Sequence, residues 1–317
     1  VKAWQFTGTH QPLVLNDVPE PTVGPEEVLI DIKAAGLCHS DVSVLEVDDF
    51  PLPAKAHLPV TLGHEIAGVI SEVGPDVRGW KPGDRAAIGN IPDLIPGIFR
   101  DGGYAARITS RAEFLLRIPD AVSFAQAAVG TDAGMTAHSG MIGVGRASKG
   151  DNVGVIGLGG LGQIGARVAV LAGCEVYVAE PKRDLWRLAA ELGAVRAVSD
   201  IRDLARENLD LIVDYAGFGT TTAGAIEAIR EGGRIVQVGM GVTEATISTH
   251  LVTMKGITLV GSLGGTLDDT RSVYELMADG MLQPVITTIT FDKIPDGLRR
   301  LSAGTVVGRL VATYDAG

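Results

Sequence analysis

Cysteine is nearly missing from this chain: in 317 residues it occurs at Cys38 and Cys174 alone. A disulfide framework is thereby excluded as the organising principle, and a reducing, cytoplasmic setting is the expectation. Long apolar runs are also missing; none reaches the ~18 residues that suggest a membrane-crossing helix. Positive charge is in deficit, with 27 Lys and Arg against 38 Asp and Glu and a net charge of −11. A nucleic-acid partner is therefore not expected, because a phosphate backbone selects basic patches. No charged-then-apolar signal segment opens the chain, and Val1 in place of Met reads as an initiator removed or left out. Neither internal repeats nor low-complexity segments occur.

Apolar residues and glycine are plentiful. At 46% apolar and 42 glycines the chain has material for large cores joined by tight turns, and its length suggests about two domains. Residues 1–133 carry short apolar or alternating runs, among them Leu13-Val14-Leu15, Glu27-Val28-Leu29-Ile30-Asp31-Ile32, Ile66-Ala67-Gly68-Val69-Ile70 and Arg85-Ala86-Ala87-Ile88. Turn signals such as Lys81-Pro82-Gly83-Asp84 separate them, which predicts an antiparallel, barrel-like β domain. From 134 to 262 the pattern alternates. Strands are predicted at 152–156, 175–179, 209–214, 233–238 and 257–261, with helices at 163–171 and 185–192. That order predicts an α/β domain with a doubly wound parallel sheet. The tail, 263–317, adds a helix at 268–278 and a closing strand at 309–312, and is assigned to the first domain.

Two constellations carry chemistry. Gly157-Leu158-Gly159-Gly160-Leu161-Gly162 follows an apolar strand and opens a helix, the context that turns a glycine run into a dinucleotide fingerprint. Gly157 suits the sharp turn, Gly159 the approach of a phosphate, and Gly162 close helix–sheet packing. Glu180 ends the next strand, roughly twenty residues on, where a carboxylate accepts from ribose hydroxyls and repels a 2′-phosphate. NAD(H) is therefore expected over NADP, with Lys182 and Arg183 as nearby cations that a phosphate could use. Separately, Cys38, His64 and Asp132 offer a thiolate, an imidazole and a carboxylate, a donor set able to hold zinc with one position open. Each alone has a plainer reading, as a small core residue, a hydrogen-bonded histidine and a helix cap. Their company with a dinucleotide fold favours the metal.

With these motifs, Cys38-His39-Ser40-Asp41, Gly63-His64-Glu65, Lys81-Pro82-Gly83-Asp84-Arg85, Asp101-Gly102-Gly103-Tyr104-Ala105 and Gly308-Arg309, the chain resembles the zinc-dependent alcohol dehydrogenases of the medium-chain dehydrogenase/reductase superfamily essentially end to end. Thr131-Asp132-Ala133-Gly134 is similar to bacterial members active on secondary alcohols. The resemblance implies a GroES-like catalytic domain (1–133 and 263–317), a Rossmann domain (134–262), and hydride transfer between an alcohol and NAD assisted by zinc on Cys38, His64 and Asp132. It implies Asp41 and Glu65 as supporting carboxylates and Ser40 as the proton carrier. His39 and Arg309 would lie near the pyrophosphate, Thr136 and Leu161 against the nicotinamide, and Met240 where cofactor and substrate meet. It further implies a homodimer or homotetramer, paired through the 257–261 edge strand. A zinc-independent quinone or enoyl reductase of the same fold is the alternative, and a non-enzymatic binding protein a third reading. The chain departs from the family in two places. Ser43 stands where a histidine often extends the proton relay. Residues 89–99 contain no cysteine, so no structural zinc is expected, and one zinc per chain remains. The apolar, Pro-rich loops 47–57 and 91–99 are expected to wall the substrate pocket.

Overall fold

The computed structural model describes residues 1–48, 50, 53 and 58–314. They form two compact units, one from Val1–Asp132, Thr270–Asp279 and the segment from Val285, the other from Ala133–Asp269 and Gly280–Pro284. Much of the expected pocket wall at 47–57 lies outside the described residues.

The first unit is built on a seven-stranded sheet. Its order is β15 (Ile286–Thr290), β16 (Arg309–Thr313), β3 (Glu27–Leu37), β5 (Glu65–Val73), β6 (Arg85–Ile88) and β8 (Leu115–Arg117), with β7 (Arg107–Arg111) also on β3. β1 (Lys2–Phe6), β2 (Val14–Asp17) and β4 (Val60–Thr61) form a smaller sheet. Most ladders are antiparallel, as the short alternating runs predict, but β15 and β16 are parallel, a pairing that local pattern could not announce. Register shifts in β3 between Leu29 and Ile30 and between Ile32 and Ala34 mark bulges, which bend and twist a sheet. Val28, Ile30, Ile66, Ile70 and Ile88 fill the interior behind β3. A second cluster of Phe6, Leu37, Leu62, Tyr104 and Leu310 lies under the strand ends that carry the site. Each such buried aliphatic side chain contributes about 1.5–3 kcal/mol of transfer free energy.

The second unit is a six-stranded sheet with the order β11 (Arg196–Val198), β10 (Glu175–Ala179), β9 (Asn152–Ile156), β12 (Leu211–Asp214), β13 (Arg234–Gln237) and β14 (Thr258–Gly261). Every ladder is parallel. The strands run outward from β9 in both directions, so the chain reverses beside it, and ligands of such sheets bind at the carboxyl ends there. Between β9 and β10 runs α4 (Gly162–Leu171), and α5 (Trp186–Leu192) precedes β11. No helix among the described residues is long and apolar enough to cross a membrane.

Residues 263–269 group with the second unit. Asp269 ties this segment to that unit. Its carboxylate accepts from Thr266 N–H at 2.8 Å and Thr266 Oγ1–H at 2.7 Å, and meets His138 Nδ1 at 2.7 Å. Burial works against this carboxylate, yet the Thr266 and His138 contacts hold it below its ordinary 3.8. A depressed acid stabilises the fold above its unfolded pKa and loses that contribution as pH falls through the folded value. Asp269→Ala is therefore expected to cost about 1–2 kcal/mol at pH 7. The gap from the parent should close as pH drops below about 4. Urea unfolding at a series of pH values measures it, and a gap constant with pH would contradict the assignment.

Candidate metal centre and cofactor turn

Pairing of two strands brings the first two donors together. β3 and β5 run antiparallel with Gly36 opposite Glu65. Cys38 follows the end of one strand and His64 precedes the start of the other, so residues far apart in sequence become neighbours. Gly36 has to lack a side chain, since a Cβ there would come within 1.7 Å of Glu65 Oε2. The third donor arrives by helix. After α2 (Phe124–Val129) the chain passes through a π-helical turn, Gly130–Gly134, which carries Asp132. Such widened turns recur at functional sites because they re-aim a side chain without ending the helix. Gly130 permits it by accepting the Tyr274 ring where a Cβ would stand, 2.4 Å away.

Cys38, His64 and Asp132 each offer one ligand atom, all within 4.8 Å of one another. His64 Nε2 is 3.4 Å from Asp132 Oδ2, and Cys38 Sγ is 3.8 Å from the same oxygen. Tetrahedral ligands at zinc bond lengths of about 2.0–2.3 Å stand about 3.3–3.8 Å apart, so these separations suit a shared zinc ion. Two anionic donors and a neutral imidazole also balance a divalent charge. Burial works against charge on His64, but the Asp41 carboxylate, with Asp132 and Cys38, outweighs it and holds the imidazole well above its ordinary 6.5. Likewise burial opposes ionisation of Asp132, and His64 nonetheless pulls that carboxyl below its usual range. The cluster is thus arranged around positive charge.

Its supports are buried as well. Asp41, in the first turn of α1 (His39–Glu46), is fully buried. Its Oδ1 faces His64 Nδ1 at 3.5 Å, and its Oδ2 accepts the Cys38 N–H at 3.0 Å and the Tyr104 hydroxyl at 2.8 Å. Burial, then the Asp41 carboxylate, hold the Tyr104 phenol well above its ordinary 10, so it remains a donor. Ser40 Oγ lies 3.6 Å from Cys38 Sγ, at the edge of the cluster. Behind His64, Glu65 Oε1 accepts from Arg309 Nη2 at 2.6 Å, both side chains being buried. Burial pushes the Glu65 carboxyl up to about 6 against the pull of Arg309. The sequence shows the motif that carries Tyr104 but not the carboxylate it meets.

The glycine turn lies in the second unit. Gly157 has φ +82°, the left-handed region. A Cβ on Gly162 would lie 1.8 Å from Gly157 O, which no side chain tolerates, whereas nothing stands within 4 Å of a Cβ on Gly159. Gly160 and Leu161 are half-buried beside it, and Leu161 caps α4. Glu180 follows β10 and is buried rather than free at the surface. Its Oε2 accepts Leu158 N–H at 2.8 Å and its Oε1 accepts Lys182 N–H at 2.9 Å.

The remaining candidates are scattered in character. Thr136 is buried on α3 (Met135–His138), Met240 is 65% exposed, and Arg183 is exposed with its guanidinium over the Trp186 ring at 5.4 Å. His39 is exposed at the start of α1. Arg309, expected near a pyrophosphate, is 3% exposed and engaged with Glu65.

Two family models match: the alcohol dehydrogenase GroES-like domain over residues 24–120 and the zinc-binding dehydrogenase domain over residues 160–279. An alcohol dehydrogenase of Geobacillus stearothermophilus is 31% identical, over 96% of this chain and 97% of that protein. A protein of Mycolicibacterium smegmatis named NADP-dependent alcohol dehydrogenase C 1 is 29% identical over 98% of this chain and 97% of its own. The structure of acetophenone reductase from Geotrichum candidum, in complex with NAD, superposes with a TM-score of 0.90 at 28% identity, covering 98% and 96% of the two chains. The two-unit fold, the convergence of Cys38, His64 and Asp132 and this end-to-end similarity give one conclusion: the chain belongs to the zinc-type alcohol dehydrogenases of the medium-chain dehydrogenase/reductase superfamily.

Proposed function

We propose that this chain interconverts a primary or secondary alcohol and its aldehyde or ketone, using NAD(H) and a single zinc ion. The observation that carries the reading is the approach of the Cys38, His64 and Asp132 donor atoms to within 4.8 Å. A zinc ion held by Cys38, His64 and Asp132 would supply Lewis acidity toward an alcohol or carbonyl oxygen, and NAD(H) bound at the glycine turn would supply the hydride acceptor or donor. The chain's own groups do the rest. Asp41 fixes the His64 tautomer by facing Nδ1, which leaves Nε2 as the ligand atom. Ser40, beside Cys38, carries the substrate proton outward. With Ser43 in place of a relay histidine, the proton continues from Ser40 by water, by ribose or by His39. A zinc-independent reductase of this fold would have no use for the complete donor set.

Purified protein should contain about one zinc ion per chain. It should oxidise members of an alcohol panel with NAD, and lose activity to a strong chelator. Full activity in metal-free protein would remove this mechanism.

The cofactor reading rests on Glu180, whose carboxylate already braces the turn through Leu158 N–H. Glu180→Ser is expected to raise KM for NAD roughly tenfold, the worth of one charge-assisted hydrogen bond, and to shift the preference toward NADP, because the repulsion of a 2′-phosphate is lost with the carboxylate. Because one relative is named NADP-dependent, both cofactors belong in the assay. An unchanged NAD/NADP ratio would dismiss the Glu180 argument.

Assembly as a homodimer or homotetramer through β14 is part of the proposal. β14 ends its sheet and leaves Leu259 39% exposed, and Met254 and Leu263 nearby in sequence are 68% and 91% exposed. An open strand edge flanked by apolar side chains is suited to pairing with a second copy. Light scattering on purified protein gives the state.

A further inference from the structure

Gly63-His64-Glu65 and Asp101-Gly102-Gly103-Tyr104-Ala105, distant in sequence, are one device in space. Tyr104 N–H donates to Leu62 O at 2.9 Å and Gly103 N–H donates to Gly63 O at 2.7 Å, so the second segment runs along the backbone that presents His64. The Tyr104 ring occupies the place a Cβ on residue 63 would take, within 2.5 Å of it, and Gly63 has φ +93°. Glycine is required there on both counts. At its far end the same side chain donates its hydroxyl to Asp41 Oδ2 at 2.8 Å. Cys38 N–H donates to that oxygen too, which leaves Oδ1 turned to His64 Nδ1 at 3.5 Å.

A buried carboxylate with two donors on one oxygen cannot rotate without breaking both bonds, and Asp41 is fully buried, out of reach of bulk solvent. We propose that Tyr104 is a positioning residue of the metal centre. Its hydroxyl locks the Asp41 carboxylate, and through it the His64 ring, while its aromatic face sets the backbone from which His64 projects. The inference rests on the zinc reading of Cys38, His64 and Asp132. Partners one step behind a metal ligand typically change metal affinity about 10–100-fold, so a group one step further back belongs near the lower end, about tenfold.

Tyr104→Phe removes the hydroxyl and keeps the ring against Gly63. Tyr314→Phe is the control, because it also removes a hydroxyl bond, to Gly103 O, without touching Asp41. Zinc affinity is measured by competition with a chromophoric chelator in the parent, Tyr104→Phe, Tyr314→Phe, Asp41→Ala and the Asp41→Ala/Tyr104→Phe pair. The cobalt-loaded forms add the thiolate-to-metal absorption band. Tyr104→Phe is expected to bind zinc about tenfold more weakly and to shift the cobalt band, with Tyr314→Phe like the parent. In the Asp41→Ala background the same change should cost about twofold or less, since its effect passes through that carboxylate. Equal zinc affinity in parent and Tyr104→Phe, or an equal loss in both backgrounds, overturns the proposal and leaves the zinc reading intact. A parent that takes up no zinc removes both.

Discussion

Cys38→Ala should fold and lose its turnover. Cys38 places its sulfur just past the end of β3, and its backbone N–H, which the substitution keeps, still reaches Asp41. The lost atom is the sulfur 3.8 Å from Asp132 Oδ2. With two of three protein donors left, zinc content should fall well below that of the parent. Activity should fall about a thousandfold or more, as loss of several kcal/mol of Lewis-acid stabilisation requires. Thermal unfolding of metal-stripped parent and variant should differ little, because exchanging one small buried side chain for another leaves the surrounding core almost unchanged. Metal analysis with a turnover assay decides it. A zinc-depleted variant that turns over at the parent's rate would show that the cluster is not the reacting site.

The largest effect on stability should come from Arg309→Leu. Glu65 is fully buried and Arg309 is 3% exposed, and they meet at 2.6 Å. Removing the guanidinium takes the charged partner from a buried carboxylate, a change that costs about 3–5 kcal/mol. That is a large share of a typical domain's stability. The pH dependence has a definite sign. Burial already pushes Glu65 up to about 6, above its ordinary 4.5. A raised acid stabilises the fold below its unfolded pKa and loses that contribution as pH rises through the folded value. Without Arg309 the carboxyl should rise further, so the variant's deficit should be greatest above neutral pH and shrink toward pH 5, where Glu65 takes up a proton. Adding Glu65→Gln should recover part of the loss at high pH. Urea unfolding in the presence of chelator, at pH 5 and pH 8, measures both. A deficit independent of pH, or absent, would mean that the pair is not the buried ion pair described here.

Parts of the molecule were legible because their cause is local. β10 spans Glu175–Ala179, as its apolar run and turn signals predict, and α4 starts at the last glycine of the fingerprint. The glycines of that turn are dictated by backbone conformation and close approach, constraints that leave a mark in sequence. Other elements left none. α6 (Thr220–Ala228) opens with three threonines, poor helix formers, of which Thr221 and Thr222 donate their hydroxyls to Asp214. The helix Ile294–Ser302 contains Gly297, which weakens a helix, yet a Cβ there would press within 2.6 Å of the Leu37 side chain. The π-helical turn under Asp132 has no sequence signature of its own, since a widened turn follows from what packs against it. Glu180 reads in sequence as a ribose ligand, and the fold shows its carboxylate bracing the turn behind the fingerprint.

By itself the sequence determined which chemical groups are present and what each short segment prefers: a thiolate, an imidazole and a carboxylate flanked by glycine, a phosphate-type turn, and alternating strands and helices. Propensity, periodicity and steric permission act over a few residues, so they are written in neighbouring letters. Tertiary structure alone decided that Gly36 pairs with Glu65 and so brings Cys38 to His64, that Asp132 swings in on a widened turn, and that Tyr104 and Arg309 stand behind the cluster. Those are contacts between distant parts of the chain, selected by burial and charge compensation in the packed state, and no local rule contains them.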